Sequence, residues 1–149
     1  MSTINKIKRT KLLIVGSGPQ LPYLNWMVKS LNINDNVIFI GWQRSIYEII
    51  EKCSLLVLPS HYEGCPNILL EAMGLNVLTL GSRVGGIKEL LKYEELLFSP
   101  LELKELADKL DKIINDKAHR RKLQELFSKR QSEYTFDWDK SMLSIFSKN

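Results

Sequence analysis

Five short apolar runs recur along the 149 residues, and four of them lead into a glycine or a glycine-bearing loop. They are Lys11–Val15 before Gly16, Asn36–Ile40 before Gly41, Ser54–Leu58 before a loop holding Gly64, Asn76–Leu80 before Gly81, and Glu95–Phe98. Runs this short and rich in Ile, Val and Leu suit strands buried on both faces. Between them the apolar residues fall at helical spacing, as with Leu21, Leu24, Val28 and Leu31, or Ile46, Ile49 and Ile50. Strands alternating with helices predict an α/β fold, a parallel sheet with helices on both faces. Right-handed crossovers gather the glycine turns at the C-terminal edge of such a sheet, where ligands of open α/β folds bind.

Residues 57–74 concentrate the chemistry. Pro66 is expected at the first position of a helix, where its missing N–H costs nothing. The polar loop before it leaves free N–H groups and the positive end of the helix dipole facing outward, a setting that attracts anions. Glu63 precedes the helix, and Glu71 lies about five residues into it, roughly 7 Å further along the axis. Two carboxylates flanking an anion site suit a diphosphate with hydroxyl-rich groups at either end. A nucleotide-sugar has that form.

The residues Pro59, Ser60, Glu63, Gly64, Pro66, Asn67, Leu70, Glu71, Ala72 and Met73 spell a stretch that resembles the E-x7-E signature of retaining, nucleotide-sugar-dependent glycosyltransferases of family 4. These have the GT-B fold. The resemblance covers residues 11 to about 140 and implies the Rossmann-like C-terminal half of that fold, with residues 1–10 as a loose lead-in and 11–149 as one donor-binding domain. It implies Glu71 on the donor ribose and Glu63 as the catalytic residue beside the transferred sugar or its leaving phosphate. The N–H groups of Gly64, Cys65, Asn67, Ile68 and Leu69, around Pro66, would hold the sugar diphosphate, and Gly16, Gly18 and Gly41 would admit the nucleotide. The donor would be a UDP-, GDP- or ADP-sugar, the acceptor a glycan or a lipid-linked chain, and no metal or other cofactor is required. Gly85, Gly86 and Glu89 match the family's V-G-G-x-x-E turn, with Glu89 in a structural role.

Departures from the family pattern are equally informative. The N-terminal acceptor-binding half of the relatives is missing from this sequence. So is the first strand–helix unit of the C-terminal half, whose G-R-x-x-x-x-K-type motif supplies an Arg and a Lys to the diphosphate. In the strand order 3-2-1-4-5-6 the missing strand is central. The strand at 11–15 must then pair directly with that at 54–58, or a gap must remain, and either outcome predicts lowered stability or association with another chain. After the motif helix the chain is two residues shorter than its relatives, which displaces the helix end and the next strand.

Other function classes have less support. Gly16-Ser-Gly18 lacks the third glycine of a dinucleotide fingerprint, Leu21 standing there instead. Cys53 and Cys65 are isolated thiols, and neither they nor His61 and His119 form a metal pattern. No aromatic or glycine pattern of a nucleic-acid module accompanies the net charge of +4. That charge crowds at Lys6, Lys8, Arg9 and Lys11, and again from Lys117 to Arg130. A solvated helix face explains such runs; attraction to anionic headgroups is the sharper alternative. The lysine-rich start is no signal peptide and no run is long enough to span a bilayer, so the expected location is the cytoplasm or the inner membrane face. From Pro100 onward apolar stripes at Leu103–Ile114, at Leu123–Tyr134 and at Met142–Phe146 predict helices packing on the sheet. The competing reading of the whole chain is a non-catalytic or vestigial interaction subunit that keeps the fold.

Overall fold

The computed structural model describes residues 10–134. The lead-in and the final predicted helix with Met142, Leu143 and Phe146 lie outside the described residues. Elements alternate as expected: β1 (Leu12–Val15), α1 (Leu21–Ser30), β2 (Val37–Gly41), α2 (Tyr47–Lys52), β3 (Leu56–Leu58), α3 (Asn67–Gly74), β4 (Thr79–Ser82), α4 (Gly85–Leu91) and β5 (Leu97–Phe98). Two helices follow, α5 (Leu103–Asn115) and α6 (Lys117–Tyr134).

All strand pairs are parallel, but they form two ladders, β1–β2 and β3–β4–β5. Of the two outcomes foreseen for a missing central strand, direct pairing of β1 with β3 does not occur. The chain divides into two compact units, residues Met1–Ile46 and Tyr47–Asn149, at a boundary the sequence reading does not place. That reading relied on linker composition, whereas the boundary arises from a ladder that is not made.

The second unit holds the core. β4 is buried along its whole length, and Leu69, Met73, Ile87, Leu91 and Phe98 pack around it with Ile113, Leu123 and Phe127 from the last two helices. The first unit has no buried side chain among its described residues. Two expected stripes are narrower than predicted. Leu103, Ala107 and Ile114 are exposed on α5, leaving Leu106, Leu110 and Ile113 to face the core, and Tyr134 on α6 is exposed.

Helix α3 ends with Asn76 in the left-handed region (φ 53°). The Val77 N–H donates to the Ala72 carbonyl (2.9 Å) and the Asn76 N–H to Met73 (3.0 Å), a Schellman closure. The following strand starts at Thr79 rather than at Asn76 as the apolar run predicts, because this turn takes up residues 75–77. Helix α6 locks this turn. Gln124 Nε2 donates to the Asn76 carbonyl at 2.9 Å, and Ser128 Oγ donates to Asn76 Oδ1 at 2.9 Å.

Arg130 corrects the reading of α6 as a uniformly solvated basic face: it is only 8% exposed. Its Nε donates to the Leu90 carbonyl and one Nη to the Glu89 carbonyl, both at 2.7 Å, and it pairs with Glu133 while lying over the Tyr134 ring. A guanidinium thus satisfies carbonyls left open at the C-terminus of α4. Arg130→Met should destabilise the second unit by about 2–3 kcal/mol, because those carbonyls lose charged donors; urea unfolding measures it.

A second network joins Arg83 to Glu94 (2.8 Å) and Glu105 (3.1 Å), and Glu105 also accepts the Ser99 N–H at 2.7 Å. The Ser99 N–H holds the Glu105 carboxyl below the ordinary glutamate range, with Arg83 adding to this against a smaller effect of burial. A depressed folded pKa gives stability that is complete above the unfolded value, about 4.3, and is lost as pH falls through the folded one. The unfolding midpoint of the parent should therefore decline below about pH 4, and Glu105→Gln should flatten that decline while lowering the midpoint near neutrality.

Candidate functional site

The motif loop joins β3 to α3 and is shaped by backbone contacts from outside the motif. Ser82, wholly buried at the end of β4, donates its Oγ to the Ser60 carbonyl at 2.6 Å. The Gly86 N–H donates to the Glu63 carbonyl at 3.1 Å. A Cβ on Gly86 would stand 1.5 Å from the Gly64 carbonyl oxygen, and one on Gly85 would stand 2.1 Å from that of Glu63. No side chain larger than hydrogen fits at either position. The V-G-G turn thus acts as a buttress for the Glu63–Gly64 backbone. The sequence signal for it was the doubled glycine; the Ser82 contact carried none.

The loop then enters α3. Pro66 is buried and extended (ψ 115°), so it is the N-cap and Asn67 is the first helical residue, one place later than the sequence predicts. Its carbonyl accepts the Leu69 N–H at 2.9 Å. That bond removes Leu69 from the expected set of free donors, and its side chain lies in the core. The Asn67 and Ile68 N–H groups, at positions with no intrahelical acceptor, remain directed out of the helix end. Gly64 and Cys65 precede them on exposed loop.

Leu69, Ala72 and Met73 form the buried stripe of α3. At about 100° per residue Glu71 falls on the opposite side, together with Asn67 one turn earlier. Glu71 and Glu63 are both half-buried, and neither carboxylate makes a hydrogen bond or ion pair among the described residues. Two uncommitted acids therefore accompany one helix N-terminus, and α3 has no basic residue of its own. Cys65 is an exposed thiol, whereas burial pushes the Cys53 thiol up. Gly16, Gly18 and Gly41 lie in the first unit; Gly16 and Gly41 adopt positive φ (122° and 66°) where they end β1 and β2. Among the described residues no group of three or more His, Cys, Asp or Glu converges as a metal site would.

The buttress can be tested without a ligand. Gly86→Ala should force the 63–64 backbone to move, costing about 1–3 kcal/mol as overpacking. Ser82→Ala should cost about 1 kcal/mol and raise amide hydrogen exchange over residues 60–65 more than elsewhere. Uniform exchange changes in both variants would show that the contacts do not shape the loop.

A family profile described as "Glycosyl transferases group 1" matches residues 1–130. The N-acetyl-alpha-D-glucosaminyl L-malate synthase of Bacillus anthracis is 41% identical over 83 residues, which is 56% of this chain and 22% of that protein. Among solved structures, the C-terminal domain of a glycosyl transferase group 1 family protein (LpcC) from Francisella tularensis superposes with a TM-score of 0.74 at 25% identity, over 89% of this chain and 73% of that one. Anabaena HepE, solved in complex with UDP-glucose, superposes with a TM-score of 0.72 at 22% identity, over 87% of this chain and 39% of that one. The chain spans less than a quarter of the length of the Bacillus relative. It belongs to the group 1 glycosyltransferases and has the α/β architecture of the C-terminal half of their GT-B fold.

Proposed function

We propose that this chain is the donor-binding part of a retaining glycosyltransferase that moves a sugar from a nucleotide-sugar to a glycan or lipid-linked acceptor in polysaccharide synthesis. The observation that carries this reading is the pair of unengaged carboxylates, Glu63 and Glu71, on the loop and outward side of α3. The donor diphosphate lies against the Asn67 and Ile68 N–H groups, Glu71 receives the ribose hydroxyls, and Glu63 stands beside the transferred sugar. Fixed N–H donors stabilise the charge that builds on the departing nucleoside diphosphate, so a metal is not required. The complex of Anabaena HepE with UDP-glucose supports this class of donor and makes UDP-sugars the first to try.

Turnover needs an acceptor-binding region, and transfer by this chain alone is not expected. Calorimetry with UDP, GDP and ADP and their sugars tests the proposal. One of them should bind, and Glu71→Ala should weaken that binding about tenfold, on the order of 1.4 kcal/mol, with folding unchanged. The second reading is a non-catalytic subunit that keeps the fold. Failure of every nucleotide to bind a folded chain would select it.

A further inference from the structure

Charge is divided unevenly between the two units. Residues 1–46 hold six basic residues (Lys6, Lys8, Arg9, Lys11, Lys29 and Arg44) against one acid, Asp35, whereas the remainder holds fifteen basic against sixteen acidic. The whole positive excess of the protein therefore resides in its first unit. On the same unit α1 presents Tyr23 and Trp26, 59% and 62% exposed, one turn apart. Their rings stack at 5.8 Å with 22° between planes. Leu31 at the helix end is exposed as well, and Lys29 occupies the last turn. Isolated exposed apolar residues are ordinary, but a stacked Tyr–Trp pair on one exposed helix face is not.

We propose that this face of α1 docks on an anionic bilayer surface, with Tyr23 and Trp26 at headgroup level and the basic residues of the first unit drawn to acidic lipid. Three features select this occupant. Tyr and Trp combine an apolar ring with a polar atom and favour the membrane–water interface. A net positive unit gains from a negative leaflet, and the gain is screened by salt. No aromatic or glycine pattern of a nucleic-acid module accompanies the charge. No helix among the described residues is long and apolar enough to cross a membrane, so contact would be peripheral. The reading is independent of the donor site, because α1 contains neither acid of the motif.

Co-sedimentation of the full chain with vesicles of phosphatidylglycerol and phosphatidylcholine tests it, without nucleotide. Binding should be strong at low salt, fall with salt, and be weak on phosphatidylcholine alone. Tyr23→Ser with Trp26→Ser should reduce partitioning about tenfold or more. Lys29→Glu should reduce binding to anionic vesicles only. Brominated lipid should quench the emission component that Trp26→Phe removes. Both substituted faces are exposed, and circular dichroism checks that the variants fold. No vesicle binding, equal binding to neutral vesicles, preference for single-stranded poly(U), or a lipid-independent dimer broken by the Tyr23/Trp26 variant would each overturn the proposal. Nucleotide calorimetry on the same variants should match the parent, so failure here leaves the donor reading standing.

Discussion

The site depends on one close approach of backbone to backbone. Residues 63 and 64 lie against residues 85 and 86 at a distance that excludes any Cβ, and the Gly86 N–H donates to the Glu63 carbonyl. This contact links the loop after β3 to the turn after β4, two adjacent parallel strands whose register is fixed by the Leu58–Gly81 pairing. Ser82, wholly buried, adds a second tie through the Ser60 carbonyl. The loop that carries Glu63 is therefore a rigid extension of the sheet edge. Preorganised N–H donors act on charge in a reaction only when held in this manner.

Helix α6 closes the other end of the same unit. Arg130 satisfies the last carbonyls of α4, Gln124 and Ser128 hold the left-handed turn at Asn76, and Arg120 donates to the Ser54 carbonyl. The helix thus binds three chain reversals that follow or precede strands. Its charged residues divide accordingly: Arg130 is structural, while Lys117, Arg121, Lys122 and Lys129 face solvent. A buried guanidinium is tolerated because its donors reach carbonyls, a carboxylate and a ring face at once.

The two units differ in how far burial has gone. Around β4 a continuous core forms, and the strand is buried throughout; β1 and β2 pair with each other and leave Leu12, Leu13, Val15 and Ile38 exposed. A two-stranded ladder buries little surface, and three or more strands or further packing are needed for independent stability. The charge imbalance follows the same division, which places the Glu63–Glu71 motif in the near-neutral unit and the basic, aromatic surface in the other.

Much of this was legible before any coordinates. Short apolar runs, four of the five leading into a glycine or a glycine-bearing loop, located every strand, because buried parallel strands need continuous hydrophobic sequence and the chain must reverse beyond them. The paired acids, eight positions apart with proline and glycine between, marked the family. Sequence alone thus determined the order of elements and the family signature that the motif carries. Tertiary structure decided what depends on residues distant in the chain. It showed that Ser82 and the paired glycines shape the motif loop, that Leu69 spends its N–H on Pro66, that Arg130 is an internal cap and that β1 and β3 share no ladder. Periodicity reports which face of an element is apolar, but not which carbonyl, turn or strand edge will meet it.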